Sequence, residues 1–115
     1  MKALNFYSTV YQASLLAAEK RCTVRLGDKR DKYPEGDIVW VTYGNRFEPR
    51  RKLFAAVIDR VVVKPLGELT ADELRAEDAN LRSPEELAGF LERIYDRPVH
   101  LDETASVIFF SRILE

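Results

Sequence analysis

Thr23 follows Lys20 by three positions and Arg25 follows Thr23 by two, in the run Lys20-Arg21-Cys22-Thr23-Val24-Arg25. A lysine close to a threonine hydroxyl supports two kinds of chemistry. As an ammonium it holds a phosphate or a carbonyl by charge and hydrogen bond. As an amine whose charged form is disfavoured by burial and positive neighbours, it takes the hydroxyl proton and makes a nucleophile. The plain alternative is structural: Lys20 and Arg21 end a first helix favourably, and Thr23 is a strand residue chosen for propensity. A reactive amine or hydroxyl also wants a carboxylate to orient it. Glu73 and Glu86 are accounted for as helix-capping residues, whereas Glu77 falls between two helical patterns, where a loop could aim it at a cleft.

Basic residues crowd the same region. Between Lys20 and Lys32 there are six Lys and Arg against two acidic residues. Lys20, Arg21, Arg25 and Lys29 are therefore candidates for contacts to a nucleotide or nucleic acid. Arg46, Arg50 and Arg51 form a second basic group, and with Tyr43 and Phe47 they resemble the mix of cations and rings that stacks bases and holds backbone. Trp40, Phe54, Phe109 and Phe110 read as core residues. With one histidine, His100, and one cysteine, a zinc hydrolase or deaminase site is not expected. Nor is there a phosphate-gripping glycine loop, a Cys-x-x-Cys pair or a serine elbow, so no metal and no cofactor is expected.

The elements that must position these groups follow from periodicity. Residues 8–18 pattern as a helix. Cys22, Val24 and Leu26 alternate with Thr23 and Arg25, the period of a half-buried strand, which puts Thr23 and Arg25 on one face. Pro34-Glu35-Gly36-Asp37 is a turn, Ile38 to Tyr43 a strand, and Leu53 to Val63 a long central strand apolar on both faces apart from Asp59 and Arg60. Thr70 to Glu73 is a capping box and Ser83-Pro84 a second helix start, followed by an apolar stripe of Leu87, Phe90, Leu91 and Ile94. Ala105 to Phe110 is the last strand. Strands that follow one another without intervening helices argue against a parallel doubly wound sheet and for a small barrel-like α+β domain.

At 115 residues, 46% hydrophobic and 32% charged, the chain reads as one folded domain spanning residues 1–115. The net charge of −1 hides a division: residues 1–64 carry 13 Lys and Arg against 7 Asp and Glu, and residues 65–115 carry 5 against 12. The basic half could draw an anion, or the two halves could neutralise each other across the fold or a homodimer contact. A lone Cys22 closes no internal disulfide, which suits the cytoplasm, and no secretion signal is legible. Asp59 and Arg60 interrupt the longest apolar stretch, so no membrane span and no membrane partner is expected.

Three runs, Lys20 to Arg25, Pro34-Glu35-Gly36-Asp37-Ile38-Val39 and Ser106-Val107-Ile108-Phe109-Phe110, together resemble the ASCH domain of the PUA-like superfamily. The resemblance covers nearly the whole chain, from Phe6 onward. It implies a small α+β fold, a PUA-like β-barrel with helices covering its openings, and a cleft beside the Lys20/Thr23 strand. It also implies binding of RNA or a nucleotide. The small amidohydrolases that deacetylate 4-acetylcytidine are similar in more detail. Their catalytic lysine, threonine nucleophile three residues later and glutamate after the central strands match Lys20, Thr23 and Glu77, and Arg25 matches the arginine after the threonine. Ala18 stands where their motif has glycine, and the basic Arg46 to Lys52 segment also departs from it. Three functions follow as expectations: an RNA- or nucleotide-binding module, an amidohydrolase acting on an N-acylated cytidine-like nucleoside, or a non-catalytic dimerisation scaffold.

Overall fold

The structure is a computed structural model that describes residues 1–6, 20–45 and 48–114. The helix expected over residues 8–18 lies outside the described residues, as do Ala18, Arg46 and Phe47. Strand β1 (Ala3–Phe6) is followed by β2 (Cys22–Leu26), β3 (Ile38–Tyr43) and β4 (Arg51–Pro65), then by a short 3₁₀ turn at Leu66–Glu68. Helices α1 (Ala71–Glu77) and α2 (Pro84–Tyr95) precede the last strand, β5 (Thr104–Arg112). No helix among the described residues is long and apolar enough to cross a membrane.

All five strands form one sheet in the order β1-β3-β4-β5-β2. Only β1 pairs in parallel, with β3; every other pair is antiparallel. The long strand is central, as its two apolar faces require. Its interruption at Asp59 and Arg60 is a bulge: the register against β5 shifts between Ile58 and Arg60. The extra residue, Asp59, accepts a hydrogen bond from the Ser111 hydroxyl. A bulge bends its strand and raises the local twist. The first half of β4 can therefore pair with β3 while the second half pairs only with β5, and the sheet curls into a half-barrel.

Curling gives the sheet two apolar faces with different covers. Ile108 and Phe110 of β5 join Leu4, Phe6, Val39, Val41, Phe54 and Ile58 inside the curl. The alternate residues Ala105 and Val107 join Cys22, Val24 and Leu26 of β2 on the other face, under Leu74 of α1 and Leu87 and Leu91 of α2. Period-2 alternation thus divides β2 as expected, with Thr23 and Arg25 opposite the helix-covered face. Phe54 and Phe110 are core residues. Trp40 and Phe109 are not fully so: each is half-buried, with Lys52 Nζ 4.8 Å from the Trp40 ring and the Arg60 guanidinium 5.8 Å from the Phe109 ring. On the outer surface of a sheet this thin, one face of a large ring is left for a cation to cover.

The helix starts follow the capping signals. Thr70 Oγ1 accepts from the Glu73 N–H at 3.1 Å, and the Glu73 carboxylate accepts from the Thr70 N–H at 2.8 Å. Ser83 Oγ accepts from the Glu86 N–H at 3.2 Å with Pro84 in the first helical turn. Leu87 and Leu91 of the expected stripe are buried, but Phe90 is half-buried and Ile94 is 42% exposed. That side of α2 lines a cavity, with Phe90 also packed against the core inside the curl.

Candidate functional site

Strand β2 is an edge strand, and its outward N–H groups need partners. The helices supply them. The Val24 N–H donates to Glu77 Oε2 at 2.9 Å, and the Leu26 N–H donates to the Tyr95 hydroxyl at 3.3 Å. Glu77 is the last residue of α1 and is 6% exposed. This corrects the sequence expectation of a loop carboxylate: the helix runs one turn further than its capping box alone indicates, so the side chain is held rigidly.

Lys20 is equally buried, at 5% exposure, and meets Glu77 twice. Its Nζ donates to the Glu77 backbone carbonyl at 2.6 Å and stands 3.2 Å from Oε2. That carbonyl is among those a helix C-terminus leaves without an internal partner, so a cation there is favourable. Cys22, close to this pair, is itself fully buried. Desolvation first, then the nearby Glu77 charge, push its thiol up to about 12. A thiol so protonated and enclosed is a packing residue, not a nucleophile.

Thr23 is buried on the opposite side of β2 and takes a different partner from the one its spacing suggests. Its Oγ1 accepts from Arg25 Nε at 3.0 Å. Arg25 Nη2 donates to the Asn5 backbone carbonyl at 2.9 Å, so one guanidinium spans from β2 to β1. These are the two edge strands of the half-barrel, and Arg25 bridges the seam between them. The guanidinium lies 5.1 Å from the centre of the Phe6 ring, and Lys20 Nζ lies 5.6 Å from it. Asn5 is fixed in turn: its side chain accepts from Thr42 Oγ1 at 2.7 Å and donates to the Gly44 carbonyl at 3.1 Å.

A cavity of about 570 Å³ opens at this seam. Asn5, Thr23 and Glu77 contribute polar atoms to it, and Phe6, Tyr33, Phe90 and Tyr95 contribute rings. Arg25, Lys29, Lys32 and Arg93 add positive charge. Lys20 does not line the cavity; it meets Glu77 and Phe6, which do. Arg21 is exposed and outside it, with its backbone carbonyl accepting from the Phe110 N–H at 2.9 Å. Arg50 and Arg51 are exposed beside the β3–β4 connection and do not reach the cavity either. Arg46 lies outside the described residues. Sequence reasoning missed Asn5 and Phe6, because a four-residue strand shows no readable period. It also missed Lys32 and Arg93, which had no motif to mark them. The one usable signal was that Arg93 follows Phe90 by three positions and so shares a helix face with it.

No protein-family model matches this chain, and no curated protein matches it. Solved structures do share its fold. An ASCH domain from Lactobacillus crispatus JV V101 superposes with a TM-score of 0.62 at 16% identity, over 96% of this chain and 78% of that one. The hypothetical protein PH0355 gives 0.65 at 19% identity, over 98% of this chain and 100% of the other. Protein EF3133 from Enterococcus faecalis V583, of the family DUF984, gives 0.64 at 15%, over 88% and 68%. At such identities what is shared is the fold. The chain is a small α+β protein with an ASCH-like fold, in which a curled five-stranded sheet carries two helices.

Proposed function

We propose that this protein binds RNA or a nucleotide, receiving a base and its sugar in the cavity at the β1–β2 seam. One observation carries the reading: rings, fixed hydrogen-bonding groups and unspent positive charge converge on a single nucleotide-sized space. Phe6, Tyr33, Phe90 and Tyr95 offer faces or edges to a planar base. The Thr23 hydroxyl already accepts from Arg25, and among the described residues nothing accepts its own proton, which is available to a ligand oxygen or ring nitrogen. Calorimetric titration with nucleosides and with a short single-stranded RNA tests the reading. Saturable binding that Thr23→Val weakens supports it, and no binding of any of them rejects it.

A second reading is favoured by the buried Lys20–Glu77 pair, whose Glu77 lines the same cavity as Thr23. Thr23 Oγ would attack the acyl carbon of an N-acylated cytidine-like nucleoside. The Lys20–Glu77 pair would take the hydroxyl proton and pass it to the departing amine, and water would then hydrolyse the threonyl ester. Arg25, already on Thr23 Oγ1, would steady the negative charge that develops. Incubation with 4-acetylcytidine decides it: turnover by the intact protein that Thr23→Ala abolishes supports hydrolysis. Absence of turnover by the intact protein rejects that substrate.

A further inference from the structure

The turn after β2 is built more firmly than a surface turn requires. Gly27, at φ 89°, swings the chain out of the strand, in a conformation that L side chains rarely adopt. Its N–H donates to the Thr104 carbonyl at 2.8 Å. The fully buried Ser106 clamps the next step: its Oγ donates to the Gly27 carbonyl at 2.7 Å and accepts from the Lys29 N–H at 2.8 Å. At the far end the Tyr33 N–H donates to the Lys29 carbonyl at 2.8 Å, and the Tyr33 hydroxyl donates to the Ala3 carbonyl of β1 at 2.9 Å. Residues 27–33, which continue from β2, are thereby hydrogen-bonded to two further strands, β5 and β1.

What the clamped turn presents is charge. Lys29 is half-buried and Lys32 exposed, and both line the cavity; α2 brings the exposed Arg93 to the same lining. Lys32 Nζ lies 5.5 Å from the Tyr33 ring and the Arg93 guanidinium 5.9 Å from the Phe90 ring, so both cations sit over rings that also face the cavity. Among the described residues none of the three makes an ion pair. The acids of the turn are directed elsewhere: Asp28 is bonded to Arg30, and Asp31 also acts on Arg30. The single carboxylate in the described lining is Glu77, which is buried and engaged by Lys20 and the Val24 N–H. The cavity is therefore enclosed and hydrogen-bonding toward Thr23 and Glu77, and cationic where Lys32 and Arg93 meet solvent.

We propose that Lys29, Lys32 and Arg93 form a phosphate subsite, which makes the preferred ligand a nucleoside 5′-monophosphate rather than the nucleoside. This rests on the cavity taking a base and sugar, as proposed above. The test titrates the full chain with the four ribonucleosides, their 5′-monophosphates and ribose 5-phosphate, at low and high salt. At low salt the best monophosphate binds on the order of tenfold or more tighter than its nucleoside, and the margin shrinks as salt screens the exposed cations. Lys32→Gln combined with Arg93→Gln removes the margin, so that the monophosphate binds no tighter than its nucleoside. Arg75→Gln combined with Arg82→Gln, which removes the same two units of charge outside the cavity, keeps the margin. A nucleoside bound as tightly as its monophosphate overturns the subsite and leaves the base pocket standing. Ribose 5-phosphate bound as tightly as any monophosphate, with the same dependence on Lys32 and Arg93, keeps the subsite and overturns the base pocket. No binding of any of these compounds overturns both.

Discussion

Lys20 and Glu77 are each buried almost completely, so neither can be removed without stranding the other. Breaking a buried ion pair from one side costs about 3–5 kcal/mol, because an uncompensated charge remains. Lys20→Met should lower the unfolding free energy in urea by roughly that amount, and pairing it with Glu77→Gln should recover part of the loss. An inactive Lys20→Ala protein is therefore evidence for catalysis only if the protein remains folded. Thr23→Val is the cleaner probe: it conserves shape and strands only Arg25 Nε, a loss of about 1 kcal/mol. Cys22 supplies a check on the burial itself. With its thiol pushed up to about 12, it should resist a disulfide-exchange reagent at pH 8 and react once denaturant is added. Its contribution to stability is complete below the ordinary thiol value and lost as pH rises toward the shifted one.

At the scale of elements, α1 carries Glu77 as its last residue, and its start is set by Thr70 and Glu73. The Glu73 carboxylate is opposed by burial. The hydrogen bonds from Lys64 Nζ at 2.7 Å and from the Thr70 N–H outweigh that cost and hold its pKa below the usual carboxylate range. A lowered folded value means the stabilisation is present in full above the ordinary carboxylate pKa and is lost as pH falls through the lowered one. Thermal melts from pH 7 downward should show this loss, and Glu73→Gln should flatten it. Thr70→Ala should cost about 1 kcal/mol as a lost cap and should also weaken ligand binding, since fraying α1 releases Glu77. Most elements were legible: the caps, the period-2 strands and the Asp59 break all appear where their residue types put them. Strand β1 was not, because four residues cannot display a period, and its parallel pairing with β3 depends on chain outside any local window.

For the whole molecule, the cationic lining of the cavity draws on both halves of the divided sequence. Arg25, Lys29, Lys32 and Arg93 meet at one cavity, and Arg93 comes from the acidic half of the chain. Affinity for short single-stranded RNA should fall steeply with salt, since each phosphate contact releases counterions. Removing Arg50 and Arg51, which lie outside the cavity, should weaken RNA binding without altering affinity for a mononucleotide. Salt-sensitive self-association in sedimentation, with no ligand bound, would instead favour the charge-paired homodimer read from the sequence.

The residues by themselves determined the strand and helix patterns, the caps, the shared face of Thr23 and Arg25, and the choice of Lys20, Thr23 and Glu77 as the groups to watch. These depend on neighbours within a few positions. Only the tertiary structure decided what those groups do to one another. Lys20 reaches Glu77 rather than Thr23, Thr23 is held by Arg25, and Arg25 crosses to Asn5. The physical reason is the curl of the sheet. A bulge in β4 bends a flat ladder until its first and last strands face each other, and that brings together side chains from Asn5 to Arg93 that no spacing along the chain connects.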